Sequence, residues 1–530
     1  MLGEILLIAT VGLISYAFYK WATINNDFFE RRNIKCMKPR FIVGNTGGLF
    51  TNKYTVTEFA QKLYNAFPNE SIYGLFDFRV PHYVVRDPEA IKQITIKDFD
   101  HFEDHRAFTD EGIDRLWSNT LFFMKGEKWR QMRATLSPAF TGSKMRQMFE
   151  LVSECADDVV KHFVHKVESG EKVNIEMKDF FGRYTNDVIA SCAFGLKINS
   201  FLEPENEFYL NGKTLMNFTS FKAMCRMVVL TKLPALARAL NITSTDPVIA
   251  KSFRETILTT MEIRKKNKFF RPDMINMLMQ VREGTLKSDE NVKEKEGFAT
   301  VEESEIGKLT VKRKWNDDEI VAQCFLFFIA GFESSSTMLT FVSYELTVNP
   351  DIQQKLYEEI LETEQQLGGK SITYDALQKM KYLDQIICES LRKWPSAAQV
   401  DRVCTKDYVY DLGNESNLKV EKGTPFFIPI YGIHHDPQYF PEPDKFDPER
   451  FSDENKDNIL SGTYIPFGLG PRNCIGSRFA LMEIKAIVYY LLLNFSIEPN
   501  EKTQIPVKLK RGMILLPENG MHLELKPRKK

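Results

Sequence analysis

The chain of 530 residues has almost no net charge, with 70 Lys and Arg against 71 Asp and Glu. That balance gives no reason to expect nucleic acid or another polyanion as partner. There is no CxxC pair. The eight cysteines, at positions 36, 155, 192, 225, 324, 388, 404 and 474, form no short-range framework, which is the pattern of free thiols in a reducing compartment. Histidine is equally sparse, eight in all, so few bases are at hand for a nucleophilic cysteine. No internal repeat and no heptad array is present, and no GxGxxG fingerprint follows a strand. What the chain does have is apolar mass: 43% hydrophobic and 12% aromatic residues, ample for a large buried core.

The N-terminal segment departs from this soluble pattern. Between Glu4 and Lys20 the run ILLIATVGLISYAFY carries no charge, and Lys20, Arg31, Arg32, Lys35, Lys38 and Arg40 follow it. A comfortable membrane span needs roughly 20 residues, which Met1 to Gly3 and the aromatic Tyr19 and Trp21 can supply. No small-x-small cleavage site precedes the basic segment, so an uncleaved anchor is expected over a signal peptide, with the bulk of the chain on the cytosolic side. The expected organisation is an anchor over 1–22, a hinge over 23–45 and one catalytic domain over 46–530.

The body reads as helical. Short β-like runs occur in SIYGLFDF and PHYVV, and again in KGTPFFIPIYG at 422–432. The charged stretch from about 281 to 314 reads as a solvated connector or mobile loop, and 221–242 reads as a core helix followed by a loop, in preference to a second patch resting in the bilayer surface. Asn316 caps a helix that Pro350 stops, about 33 residues long, with AGFESSST (330–337) at its middle. There Gly331 weakens the helix and the hydroxyls of Ser334, Ser335 and Ser336 can bond back to carbonyls one turn earlier. Taken alone, that stretch reads first as a site of close helix packing. In KYLDQIICESLRKWP, Glu389 and Arg392 share a face among apolar neighbours, and a buried pair of this kind needs a third partner, for which Arg450 in PEPDKFDPERF is available.

The sharpest feature is FGLGPRNCIG, Phe467 to Gly476. Glycine-bounded turns let a backbone approach a flat group with no Cβ in the way, and the helix that follows would favour a charged sulfur at Cys474. On the residues alone, Cys474 could also be a small buried apolar side chain or a nucleophile, with His434 and His435 the nearest histidines in sequence.

FGLGPRNCIG matches FxxGxRxCxG, and with WRQMR (Trp129 to Arg133), AGFES (Ala330 to Ser334), ESLR (Glu389 to Arg392), DRVCTKD and PERF in order, the chain resembles the cytochrome P-450 superfamily along nearly its whole length. EGFATVEESEIG resembles the insect microsomal detoxification branch, family nine. The resemblance implies a mainly α fold with small β-sheets, a triangular helical domain with a small β-rich lobe, behind a single N-terminal anchor. It implies haem b with Cys474 as axial thiolate. Trp129, Arg133, Arg402 and Arg472 would hold the propionates, with His105 or Arg106 as further partners, and Ala330, Phe467 and Gly476 would border the cofactor. Glu333 and Ser334 would relay protons, Ser standing where the family usually has Thr, and Glu389, Arg392 and Arg450 would form a buried structural triad. Electrons would come from NADPH through NADPH-cytochrome P-450 reductase, with cytochrome b5 as a further partner, docked on cations such as Lys125, Lys128, Arg130, Arg478 and Lys485. The implied activity is oxidation of hydrophobic small molecules with O2 at the endoplasmic reticulum membrane. Residues of 101–125, Phe218, Phe221, Phe325, Phe328 and Ser396 to Val400 fall in regions that contact substrate in that family.

Overall fold

A computed structural model describes residues 2–109, 111–215, 220–284, 286, 297–309, 311, 313–411 and 417–528. Phe218 and much of the 281–314 stretch lie outside these residues, as does the side chain of Phe221. The chain divides into two compact units, one formed by 1–106, 398–433 and 511–514, the other by 107–397, 434–510 and 515–530.

In the smaller unit, helix α1 (Leu2–Thr23) leaves its apolar side chains exposed along most of its length, because every face of it is apolar and only its last turns meet the rest of the unit, Phe41 against Phe18 and Tyr19 and Arg79 over Trp21. Strands β1 (Ile72–Asp77), β2 (Val80–Val85), β3 (Val400–Val403) and, beyond the hairpin of β4 (Tyr408–Asp411) and β5 (Asn417–Val420), β6 (Pro425–Ile428) follow. The sheet order is β1-β2-β6-β3, antiparallel except for the β2–β6 pair. The strands match the two β-like runs and the 422–432 patch. The segment expected as a hinge is pinned to this sheet: Met37 N donates to Gly74 O at 2.9 Å, and Gly74 N to Lys35 O at 2.8 Å. Phe29 is fully buried against Gly74, where any Cβ would collide with its ring.

The larger unit is helical. Its principal helices are α2 (Gly126–Leu136), α3 (Gly142–Glu168), α4 (Met177–Phe194), α5 (Phe221–Lys232), α6 (Pro234–Ala239), α7 (Asp317–Val348), α8 (Lys381–Lys393) and α9 (Ser477–Asn494). The capping box predicted from Asn316 forms: its side chain accepts from Glu319 N, and Glu319 accepts from Asn316 N. Helix α7 passes unbroken through 330–337, and Gly331 admits helix α4, since a Cβ there would lie 2.5 Å from Ile189 Cδ1. Close helix packing is therefore what this glycine provides. Among the described residues α1 and α7 are long and apolar enough to cross a membrane, but α7 is largely buried in protein.

Two expectations need correction. Residues 221–242 form the short helices α5 and α6, not a core helix, and leave Leu233, Leu236 and Leu240 exposed, because Pro234 splits the run before it can present one continuous buried face. The second expectation fails only in part: the described part of the 281–314 connector is solvated along much of its length, with Glu302, Glu305, Lys308 and Leu309 exposed, but Ala299 and Gly307 are buried and Glu303 pairs with the buried Arg133.

Candidate active site

Cys474 sits in a turn fixed by backbone bonds, Cys474 N to Phe467 O at 2.8 Å and Asn473 N to Gly470 O at 2.9 Å. Gly468 and Gly470 have φ of +76° and +75°, the left-handed region that glycine enters without strain. The Cys474 side chain is accessible, yet protein crowds it enough that desolvation pushes its thiol pKa up, opposed by the Gly476 N–H and the Arg133 charge. Those two facts together describe a recess. An accessible thiol within low-dielectric walls, with stabilising donors already aimed at its anion, suits a soft metal centre that takes the proton's place.

Histidine chemistry is ruled out at the nearest candidate. His434 is fully buried, its Nε2 accepts from Ile465 N at 2.9 Å, and burial holds its pKa well below the ordinary value, so it is a structural neutral ring.

Around the loop the predicted cations are engaged. Arg472 donates to Leu121 O (3.1 Å), Phe122 O (3.3 Å) and Met124 O (2.7 Å), its guanidinium 4.1 Å from the ring centre of the buried Trp129. Of the five N–H donors on Arg133, Nη1 reaches Asn473 O and Nη2 reaches Asn473 Oδ1, both at 2.7 Å. Its Nε and Nη2 also meet Glu303, at 3.1 Å and 2.7 Å. One N–H remains for another acceptor. In the smaller unit, Arg402 is fully buried beside Asp401, and desolvation brings its pKa down to about 10. His105 Nδ1 lies 3.1 Å from Asp401 Oδ1, and Arg106 N donates to Asp401 Oδ2 at 2.6 Å. Asp401 thus organises both of those further candidates.

Helix α7 supplies the second part of the larger unit's site. It is buried nearly all round, yet Ala330 and Ser334, one turn apart, are exposed and Leu326 is half-buried. This i, i+4, i+8 stripe gives a largely buried helix one open face, a cradle for a flat apolar ligand. Ser334 Oγ donates to Ala330 O at 2.6 Å and Ser336 Oγ to Phe332 O at 2.7 Å, the back-bonding read from the sequence, whereas Ser335 faces the core. Ser396 Oγ donates to Ser334 O at 3.2 Å. Glu333 faces Lys178, whose Nζ is 3.0 Å from Glu333 Oε1 and also donates to Ser336 Oγ (2.6 Å) and Thr337 Oγ1 (3.0 Å). Burial lowers the Lys178 pKa, and the Glu333 charge opposes that shift. Lys178 was not foreseen, because a lone lysine beginning another helix 155 residues earlier carries no pattern that links it to Glu333.

The other predicted residues separate into core and surface. Phe325 and Phe328 are buried in an aromatic cluster with Trp117, Phe194, Phe208 and Phe253. Glu389 and Arg392 are fully buried in α8 and bonded at 2.7 and 2.8 Å, with Arg450 Nε 3.5 Å from Glu389 Oε1, so the triad assembles. Lys485 is no docking cation: it is fully buried, 2.7 Å from Asp384, because α9 turns that side chain inward. Lys128 is paired with Glu111 and Glu319.

A recessed cysteine on a glycine turn and a largely buried helix with one bare stripe suit a haem-thiolate protein. The chain belongs to the cytochrome P450 family, whose model matches residues 35–525. It is 44% identical over 525 residues to probable cytochrome P450 9f2 of Drosophila melanogaster, covering 98% of each chain. Cytochrome P450 9e2 of Blattella germanica is 43% identical over 535 residues, 98% of this chain and 97% of that one. Probable cytochrome P450 6a13 of Drosophila melanogaster is 35% identical over 527 residues, 99% of each. The protein is accordingly a monooxygenase that holds haem b through a cysteine thiolate and receives electrons from a reductase.

Proposed function

We propose that this enzyme is anchored in the endoplasmic reticulum membrane by residues 1–22, with 23–45 as its connecting segment and 46–530 as a cytosolic catalytic domain. It oxidises small hydrophobic xenobiotics, insecticides or plant toxins, with O2 and electrons passed from NADPH by NADPH-cytochrome P-450 reductase, and cytochrome b5 is a further donor. The observation that carries the chemical part is the recessed, accessible Cys474 thiol with the Gly476 N–H and Arg133 charge favouring its anion. The exposed α1 and the similarity to family-nine relatives support the membrane and substrate parts.

Bound haem supplies the iron at which O2 is divided between substrate and water. Cys474 would hold it through its sulfur, and Trp129, Arg402, Arg472 and the remaining N–H of Arg133 would hold its propionates. Ala330, Phe467 and Gly476 let the ring approach closely. Glu333 and Ser334 move protons: Lys178 holds the Glu333 carboxylate beside α7, and the Ser334 hydroxyl turns from the Ala330 carbonyl to pass its proton on. That relay favours an oxygenase over a haem-thiolate isomerase, which needs no delivered protons.

The spectrum of the reduced carbon monoxide adduct is the first test, with the band of thiolate-ligated haem expected. Reconstitution with reductase in microsomal lipid should then give NADPH-dependent product from apolar compounds that shift the haem spin state. Product formed without NADPH and reductase would remove the monooxygenase reading.

A further inference from the structure

Arg133 is only 3% exposed, and a buried guanidinium without a counter-charge costs several kcal/mol. Its counter-charge comes from neither the cysteine loop nor its own helix. Glu303 supplies it, from the segment 297–308 that links the helix Met274–Glu283 to α7. The Glu303 carboxylate also accepts from Ser137 Oγ at 2.9 Å and from Ser304 N at 3.0 Å. The same segment reaches the ligand loop a second time, for Asn473 Nδ2 donates to Glu302 O at 3.2 Å. At its other end Phe298 packs its ring on Phe451 and Tyr464, 5.4 and 5.5 Å between centroids, and Phe298 N donates to Asp384 Oδ2 at 3.0 Å.

Both glycines of the segment serve these contacts. A Cβ on Gly297 would lie 2.0 Å from Asp384 Oδ1, and one on Gly307 would lie 2.4 Å from Glu303 Cγ and Cδ. Each glycine is thus the residue that lets an anchoring carboxylate occupy its place. A solvated connector would need neither.

We propose that residues 297–308 are a strap that braces the cysteine loop, and that Glu303 is a positioning residue for the Cys474 ligand, acting through Arg133 and Asn473. The proposal rests on Cys474 being the haem ligand. Asn473 immediately precedes Cys474, and Arg133 clamps both its carbonyl and its side-chain oxygen. Glu303 fixes where that clamp sits and compensates its charge. With the Glu303 carboxylate gone, the guanidinium loses its one protein counter-charge among the described residues and stands more positive beside the thiolate, with only a propionate left to offset it. It draws electron density from the sulfur and favours the reduced, more negative haem.

The test uses the full-length holoenzyme and three variants, Glu303→Gln, Glu303→Asp and Gly307→Ala. The first readout is amide hydrogen exchange over 468–476, where the Asn473 and Cys474 N–H groups are hydrogen-bonded. Exchange should rise about tenfold in Glu303→Gln and Gly307→Ala while α7 is unchanged. The second is the haem reduction potential, which should become more positive in Glu303→Gln and return toward wild type in Glu303→Asp. An unchanged potential in a folded Glu303→Gln protein overturns the proposal, as does exchange that rises evenly over the whole chain. If the wild-type protein lacked the thiolate-haem spectrum, the site reading itself would fall, and exchange at 468–476 would still report separately on the strap.

Discussion

At the scale of single residues, two side chains carry measurable consequences. Ser334 keeps the hydroxyl that a proton relay requires but lacks the methyl group that would restrict its rotation. Its Oγ is already turned back on the Ala330 carbonyl at 2.6 Å, so it must leave that bond to donate elsewhere. Ser334→Thr should raise the product formed per NADPH consumed, by up to about twofold, read as the ratio of product to peroxide. Equal ratios would show that rotation at this position does not govern coupling. Glu483, fully buried in α9, is the second. Desolvation pushes its carboxyl up to about 8, and Ser335 stands close enough to ease the shift but makes no hydrogen bond of good geometry. The folded state therefore holds a proton that the unfolded chain releases near pH 4.5, so stability falls as pH rises from there to about 8 and levels off above. Glu483→Gln should remove that slope, at most about 1.4 kcal/mol per pH unit, in melting curves taken across the window. A slope unaltered by the substitution would place the titration elsewhere.

Elements show why some of the site was readable and some was not. The α7 cap, the back-bonding serines and the Glu389–Arg392 pair follow from spacing within one helix, and local geometry turns that spacing into contact. Cys474 was legible because its loop needs glycines that nothing else in the neighbourhood needs. The strap, the Lys178 pairing and the burial of Lys485 depend on contacts between residues far apart in sequence, which composition cannot express: of the carboxylates in 297–309, Glu303 faces the buried Arg133 while Glu302 and Glu305 face water, and nothing local distinguishes them. The α8 triad allows an element-scale prediction. Glu389 accepts from Arg392 and from Asp447 N at 3.0 Å, so Glu389→Gln leaves a fully buried guanidinium uncompensated. A loss of about 3–5 kcal/mol in denaturant unfolding is expected, with faster haem release. A loss below about 1 kcal/mol would mean that the Pro443 and His434 carbonyls alone satisfy Arg392.

At the scale of the whole molecule, the expected order of anchor, hinge and catalytic domain changes character at its second member. The sequence offers only one proline, Pro39, between Lys35 and Asn45, so stiffness there cannot come from proline. It comes instead from contact: Phe29 fills the socket over Gly74, and Asn45 N donates to Phe76 O at 2.7 Å. The anchor is tied more lightly, by Phe41 against the rings of Phe18 and Tyr19 and by Trp21, whose ring lies 3.7 Å from the Arg79 guanidinium. Truncation should therefore separate two properties that a flexible hinge would leave linked. Removing residues 2–20 should release the protein from membranes while leaving melting temperature and haem spectrum intact. Any residual binding to lipid vesicles should be lost when Leu233, Leu236 and Leu240, exposed on and beside α6, are made polar. Extending the deletion through residue 45 strips Phe29 from its socket and should cost about 3–5 kcal/mol, the usual price of losing a buried aromatic side chain. Equal melting temperatures for the two truncations would show that 23–45 is the free hinge its sequence position suggests, and that its contacts with the sheet contribute nothing to stability.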